Sequence, residues 1–96
     1  MTVTFESVRN HNESAVFAAV SNAAGGFPGL AHDRELLADV ACVALNRLQP
    51  RYIRHEVDFS FYQTEAEHRE SQNKLTEAVE FAFGYVQART AMRARK

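Results

Sequence analysis

The sequence predicts a mainly α fold: a small three-helix domain with one or two short β-strands between the second and last helix, expected to be dimeric. Three features predict it. Leu36 to Leu48 is apolar on several sides and stops at Pro50. Thr64-Glu-Ala-Glu67 is a capping box that opens another long helical pattern. Between the two, Val57, Phe59 and Phe61 alternate with Glu56, Asp58 and Ser60, which is the period of a half-buried strand.

At 96 residues the chain is read as one domain spanning 1–96, with 1–9 and 91–96 expected to be flexible ends. Val3, Phe5 and Val8 are placed to pack back on the body. The first helix is expected from near Asn10 to Ala24, capped by Asn10 or Asn12 and stopped by Gly25-Gly26 with Pro28 behind. Its apolar face reads Val16, Phe17, Val20 and Ala24.

Asp33 is a good N-cap for the second helix, and Glu35 suits the positive end of its dipole. Ala38, Ala41 and Ala44 allow a neighbouring helix close approach. A helix greasy on several sides has more surface to hide than so few elements can cover, so self-association is expected. The strand reading spans Arg51 to Tyr62. A lone strand leaves its backbone unsatisfied, so it must fold back on Arg51 to His55 or pair with another chain. The last helix should run to about Thr90, polar nearly all round from Glu65 to Lys74. Its second half carries Leu75, Val79, Ala82, Phe83 and Val86 on one face, with Phe81 and Tyr85 beside it. The second half should dock on the core, and the first should meet solvent or a partner.

Composition removes several function classes. An apolar fraction of 46% is too high for a disordered chain. No apolar run reaches the roughly 18–20 residues that a membrane helix needs, and nothing reads as a signal peptide. One cysteine forms no internal disulfide framework and fits a reducing interior, so a cytoplasmic location is expected, without membrane insertion. A net charge of −1 argues against a nucleic-acid-coating protein. After Glu80 every charge is positive, from Arg89 to Lys96, which suits a solvated helix C-terminus.

Cys42 and the four histidines lack the spacing of a metal knuckle, and Cys42 reads as a small core residue, so no metal site is expected. Glu65, Glu67 and Glu70 read as a solvated face. Asp39 stands among apolar neighbours and must find a partner, with an arginine or a backbone donor favoured. His55 and His68 have nothing adjacent to make either a catalytic base, and Gly25-Gly-Phe-Pro-Gly29 lacks the lysine of a phosphate loop. No catalytic residues and no enzymatic activity are expected.

One cluster remains. Arg47, Arg51 and Arg54 lie close together with no acid among them, beside Tyr52. Guanidinium groups fork onto phosphate and onto the O6/N7 edge of guanine, and a tyrosine ring stacks on a base. The equal alternative is a set of surface arginines with Tyr52 at the core edge.

At these residues the chain resembles the late competence development protein family, ComFB. The family pattern Asp-hydrophobic-x-Ala-x-Ala-Leu-Asn followed by x-Leu-Pro-Pro-x-Tyr reads here as Asp39-Val-Ala-Cys-Val-Ala-Leu-Asn46 and then Arg47-Leu-Gln-Pro-Arg-Tyr52. Asn10-His-Asn-Glu13 is a loose counterpart of the Asn-aromatic-aromatic-Glu motif near the family's first helix. Two features depart from the pattern. The Cys cluster that many members carry before the Asp, associated with zinc, is missing, and Gln49 replaces the first Pro. The resemblance implies a small dimeric bacterial receptor for cyclic di-GMP, linked to competence, type IV pili and motility, which relays to a downstream protein partner.

Chemistry then nominates Arg47, Arg51, Tyr52 and Arg54 as ligand-binding residues, with His55 beside them and Asn46 from the motif. The rival reading is a protein–protein adaptor of the same fold with no nucleotide site, using the polar start of the last helix and the basic tail.

Overall fold

The computed structural model describes residues 3–55 and 63–94. The elements in chain order are β1 (Arg9–Asn10), α1 (Asn12–Ala23), a 3-10 turn (Ala24–Gly26), α2 (Arg34–Arg47), β2 (Tyr52–Ile53) and α3 (Glu65–Ala94). Three helices pack around one core, and the expected fold class holds. Among the described residues one strand lies between the second and last helix, and its partner precedes the first.

β2 takes its partner from far upstream in the chain. It pairs antiparallel with β1, Arg9 opposite Ile53 and Asn10 opposite Tyr52. The sequence hid this because β1 is only two residues long and carries no alternation of its own. The alternating segment from Glu56 to Tyr62 lies outside the described residues.

α2 begins as predicted: the Asp33 carboxylate accepts hydrogen bonds from the backbone N–H of Glu35 (3.0 Å) and Leu36 (3.1 Å). It ends at Arg47, where Leu48 turns extended two residues ahead of Pro50. α1 closes differently from expectation. The glycines after it adopt no left-handed conformation; the chain tightens into a 3-10 turn whose Phe27 N–H donates to Ala24 O at 3.0 Å.

The core is built from Val16 and Val20 of α1, Val40, Ala41 and Ala44 of α2, and Val79, Ala82, Phe83 and Val86 of α3. Sequence reading missed the contribution of the α1–α2 connection. Leu30 is buried there, and the Phe27 ring stacks on Phe83 with centroids 4.3 Å apart. Two more core assignments are corrected. Phe17 is half exposed, because it lies about 100° round the helix from Val16, whereas Ala19 and Ala23 flank the Val16–Val20 line on the opposite side and pack against the core. Cys42 is exposed rather than in the core: with Ala38 and Asn46 it forms an i, i+4 stripe on the outer side of α2.

Val3, Phe5 and Val8 are also exposed rather than packed back, since pairing β1 with β2 holds the preceding chain off the three-helix core. α3 continues past Thr90 to Ala94, because Ala91-Met-Arg-Ala94 are good helix formers and nothing there breaks the ladder. Among the described helices none is long and apolar enough to cross a membrane.

Candidate nucleotide site

Gln49 to Arg51 must leave α2 and enter β2, and two asparagines fix how it does so. Asn10 Oδ1 accepts from the backbone N–H of Asn12 and of Arg51, both at 3.1 Å. Asn12 donates its side-chain amide to Gln49 O at 2.9 Å, and the His11 N–H donates to Arg51 O at 2.6 Å. One side chain therefore satisfies an orphan donor in the first turn of α1 and also pins the backbone of Arg51. The start of α1 and the exit of α2 become one unit.

Arg51 stands where two open cavities meet. The larger, about 880 Å³, is walled by His11, by Asn12 and Ala15 of α1, by Arg51, and by the opening turns of α3. The smaller, about 370 Å³, lies between Arg47 to Arg51 and the α3 residues Ser71, Lys74 and Glu77. The larger falls within the roughly 300–1,000 Å³ typical of small-molecule sites.

The six nominated residues are not gathered equally. Arg51 borders both cavities and Arg47 borders the smaller. The Arg47 guanidinium lies 3.8 Å over the centroid of the Phe81 ring, which fixes its plane. Asn46 turns its amide back to Cys42 O at 3.0 Å, a use in helix geometry. Tyr52 is 71% exposed, and Arg54 and His55 are exposed too; none of the three lines either cavity.

Residues that sequence reading left out do line the larger cavity. From α3 these are Glu65, His68, Arg69, Gln72 and Leu75, and from the start of α1 His11, its N-cap residue, and Asn12. The spacing 65, 68, 69, 72, 75 is one helical face, a signal present in the sequence but masked by polar residues on the other faces. His68 Nδ1 lies 3.4 Å from Gln63 Oε1, and Gln63 Nε2 donates to Ser71 Oγ at 3.1 Å. Thr64 Oγ1 accepts from the Glu67 N–H at 3.1 Å, so the capping residue of the box is in use. His11, Arg51, His68 and Arg69 border this cavity, and Glu65 is the one acid among its described lining residues. An anionic ligand suits that balance.

Farther along, α2 and α3 run antiparallel with matched i, i+4 stripes. Arg89 donates to Asp39 Oδ2 at 3.1 Å, the arginine partner expected for this carboxylate, although Asp39 is only partly buried. The Phe81 and Tyr85 rings stack with centroids 6.0 Å apart, and Arg89 sits 5.7 Å from the Tyr85 centroid. Phe81, Tyr85 and Met92 remain largely exposed on this side.

The zinc associated with relatives finds no fit here. The chain has one cysteine, exposed in mid-helix, and among the described residues no three His, Cys, Asp or Glu side chains converge.

No curated protein and no solved structure matches the chain. The family model of the late competence development protein ComFB matches residues 9–90, a span that includes the asparagine latch, both cavities and the paired stripes. The chain belongs to the late competence development protein ComFB family.

Proposed function

We propose that the chain is a non-catalytic, competence-related regulator that binds cyclic di-GMP and relays that binding to a protein partner. The observation that carries this reading is the placement of Arg51. Its backbone is clamped by Asn10 and His11, and the residue borders both cavities. A ligand with two phosphates and two guanines extends across neighbouring cavities, with a guanidinium at their junction to fork onto phosphate. Arg47, held over Phe81, assists from the smaller cavity. Tyr52, next to Arg51 in sequence and exposed on β2, offers a face for stacking. Type IV pili and motility are the processes in which such a receptor acts.

A homodimer is part of the proposal. α2 leaves Ala38 and Cys42 uncovered, and α3 leaves Phe81 and Tyr85 uncovered. A second copy covers that apolar surface and sets two sites in a symmetric pair.

Isothermal titration calorimetry with cyclic di-GMP, beside GMP and cyclic di-AMP, tests the reading. Saturable binding at micromolar Kd or tighter is expected, and Arg51→Ala should abolish it. That substitution spares the latch, which uses only backbone atoms of Arg51. Flat heats from the wild-type protein would overturn the receptor reading and leave a protein–protein adaptor.

A further inference from the structure

The first half of α3 poses a problem that packing does not solve. From Glu65 to Lys74 it buries no side chain, yet it is an ordered helix continuous with the half that forms the core. Part of the polarity serves the helix: Lys74 pairs with Glu70 at 3.2 Å across one turn, with both side chains well exposed. That accounts for one face. The other face, from Glu65 through His68, Arg69 and Gln72 to Leu75, lines the larger cavity opposite α1 and Arg51.

We propose that this face is the second wall of a guanine-nucleotide pocket, in which Arg69 takes phosphate and Glu65 reads the guanine edge. The inference rests on the receptor reading above and adds the residues that grip and select the ligand.

The chemistry divides along the wall. Arg69 has no ion-pair partner among the described residues, and it lines the cavity that Arg51 also lines. Two guanidinium groups on opposing walls match a phosphodiester between them. Glu65 is the anomaly, the one acid among the described lining residues and set beside Arg51 and Arg69, because a carboxylate repels phosphate. It accepts hydrogen bonds only, and the Watson–Crick edge of guanine presents N1–H and N2–H₂ as adjacent donors. Adenine presents one donor beside an acceptor there, so the same carboxylate disfavours it. Gln72 and Asn12 supply amides that both donate and accept, and Leu75 and Ala15 give an apolar surface for a ring.

The test is calorimetry on the full chain with cyclic di-GMP and cyclic di-AMP, comparing wild type with Arg69→Ala, Arg69→Lys and Glu65→Gln. Both positions are exposed, and unchanged circular dichroism and melting would show that each variant is folded. Arg69→Ala should weaken cyclic di-GMP binding by about tenfold or more, as loss of a charged hydrogen bond does, and Arg69→Lys should recover part of it. Glu65→Gln should narrow the preference for cyclic di-GMP over cyclic di-AMP by a similar factor. Wild-type binding with affinity and preference unchanged in Arg69→Ala and Glu65→Gln overturns the wall assignment and leaves the receptor reading standing. No binding by the wild type overturns both.

Discussion

Replacing Asn10 by Ala removes an acceptor on which two parts of the fold depend. Asn10 Oδ1 takes the N–H of Asn12, in the first turn of α1, and the N–H of Arg51, at the exit of α2, each at 3.1 Å. A net hydrogen bond contributes roughly 0.5–1.5 kcal/mol, and loss of a helix-capping acceptor costs about 0.5–2 kcal/mol. Both donors lie near the surface, where water replaces part of what is lost, so about 1–3 kcal/mol is expected in total. For a chain of this size each kcal/mol lowers Tm by roughly 4–8 °C, so a fall of about 4–24 °C follows. Asn10→Asp is the matched control. Its carboxylate accepts both bonds and sits well at the positive end of α1, so its stability should stay within about 0.5 kcal/mol of wild type. Urea unfolding followed by circular dichroism, at one fixed protein concentration, gives both values. An Asn10→Ala midpoint equal to that of wild type, with unchanged slope, would refute the latch. Lower stability of Asn10→Asp, equal to that of Asn10→Ala, would show that the amide rather than the shared oxygen matters.

Two further predictions concern the packing. Phe83 is fully buried and stacked on Phe27, so Phe83→Ala should cost about 3–5 kcal/mol, a large part of the roughly 5–15 kcal/mol a domain commands; urea unfolding should show a sharp fall in midpoint, and Phe83→Leu a smaller one. The Asp39–Arg89 pair has side chains 48% and 33% exposed, so a double-mutant cycle with Asp39→Ala and Arg89→Ala should give a coupling of only about 0.2–1 kcal/mol, reduced further by salt.

The helices were legible in the sequence because their signals are local. Asp33 as a cap, Pro50 as a stop and Thr64 at the capping box each act within a few residues, and each is found where its chemistry placed it. What was hidden depended on residues distant along the chain. Nothing near Arg9-Asn10 announces a strand, since its partner lies beyond two helices at Tyr52-Ile53. Leu30 and Phe27 sit in a glycine-rich connection that reads as a turn, and only the place of Phe83 in the third helix makes them core. Cys42 failed for a different reason. On a helix apolar on several sides, periodicity cannot say which side faces out. The candidate site was half legible: Arg51 was named, while its opposite wall came from a helix start more than ten residues later.

The division of α3 into a polar and an apolar half follows from the length of the element. Thirty residues of helix span about 45 Å, longer than the rest of this small fold can cover. The second half earns its helicity by burying Ala78, Val79, Ala82, Phe83 and Val86. The first half gains no such burial and is held by the cap at Thr64, by the Glu70–Lys74 pair and by continuity with the half that is packed. A helix supported from one end can keep a whole face free for polar groups. The face from Glu65 to Gln72 is therefore available to a ligand without exposing any of the core, and its positions tolerate charge that α1 and α2 could not carry inward. Substitutions along that face should change recognition more than stability, whereas the same changes one or two turns beyond Leu75 enter the buried stripe and should unfold the chain.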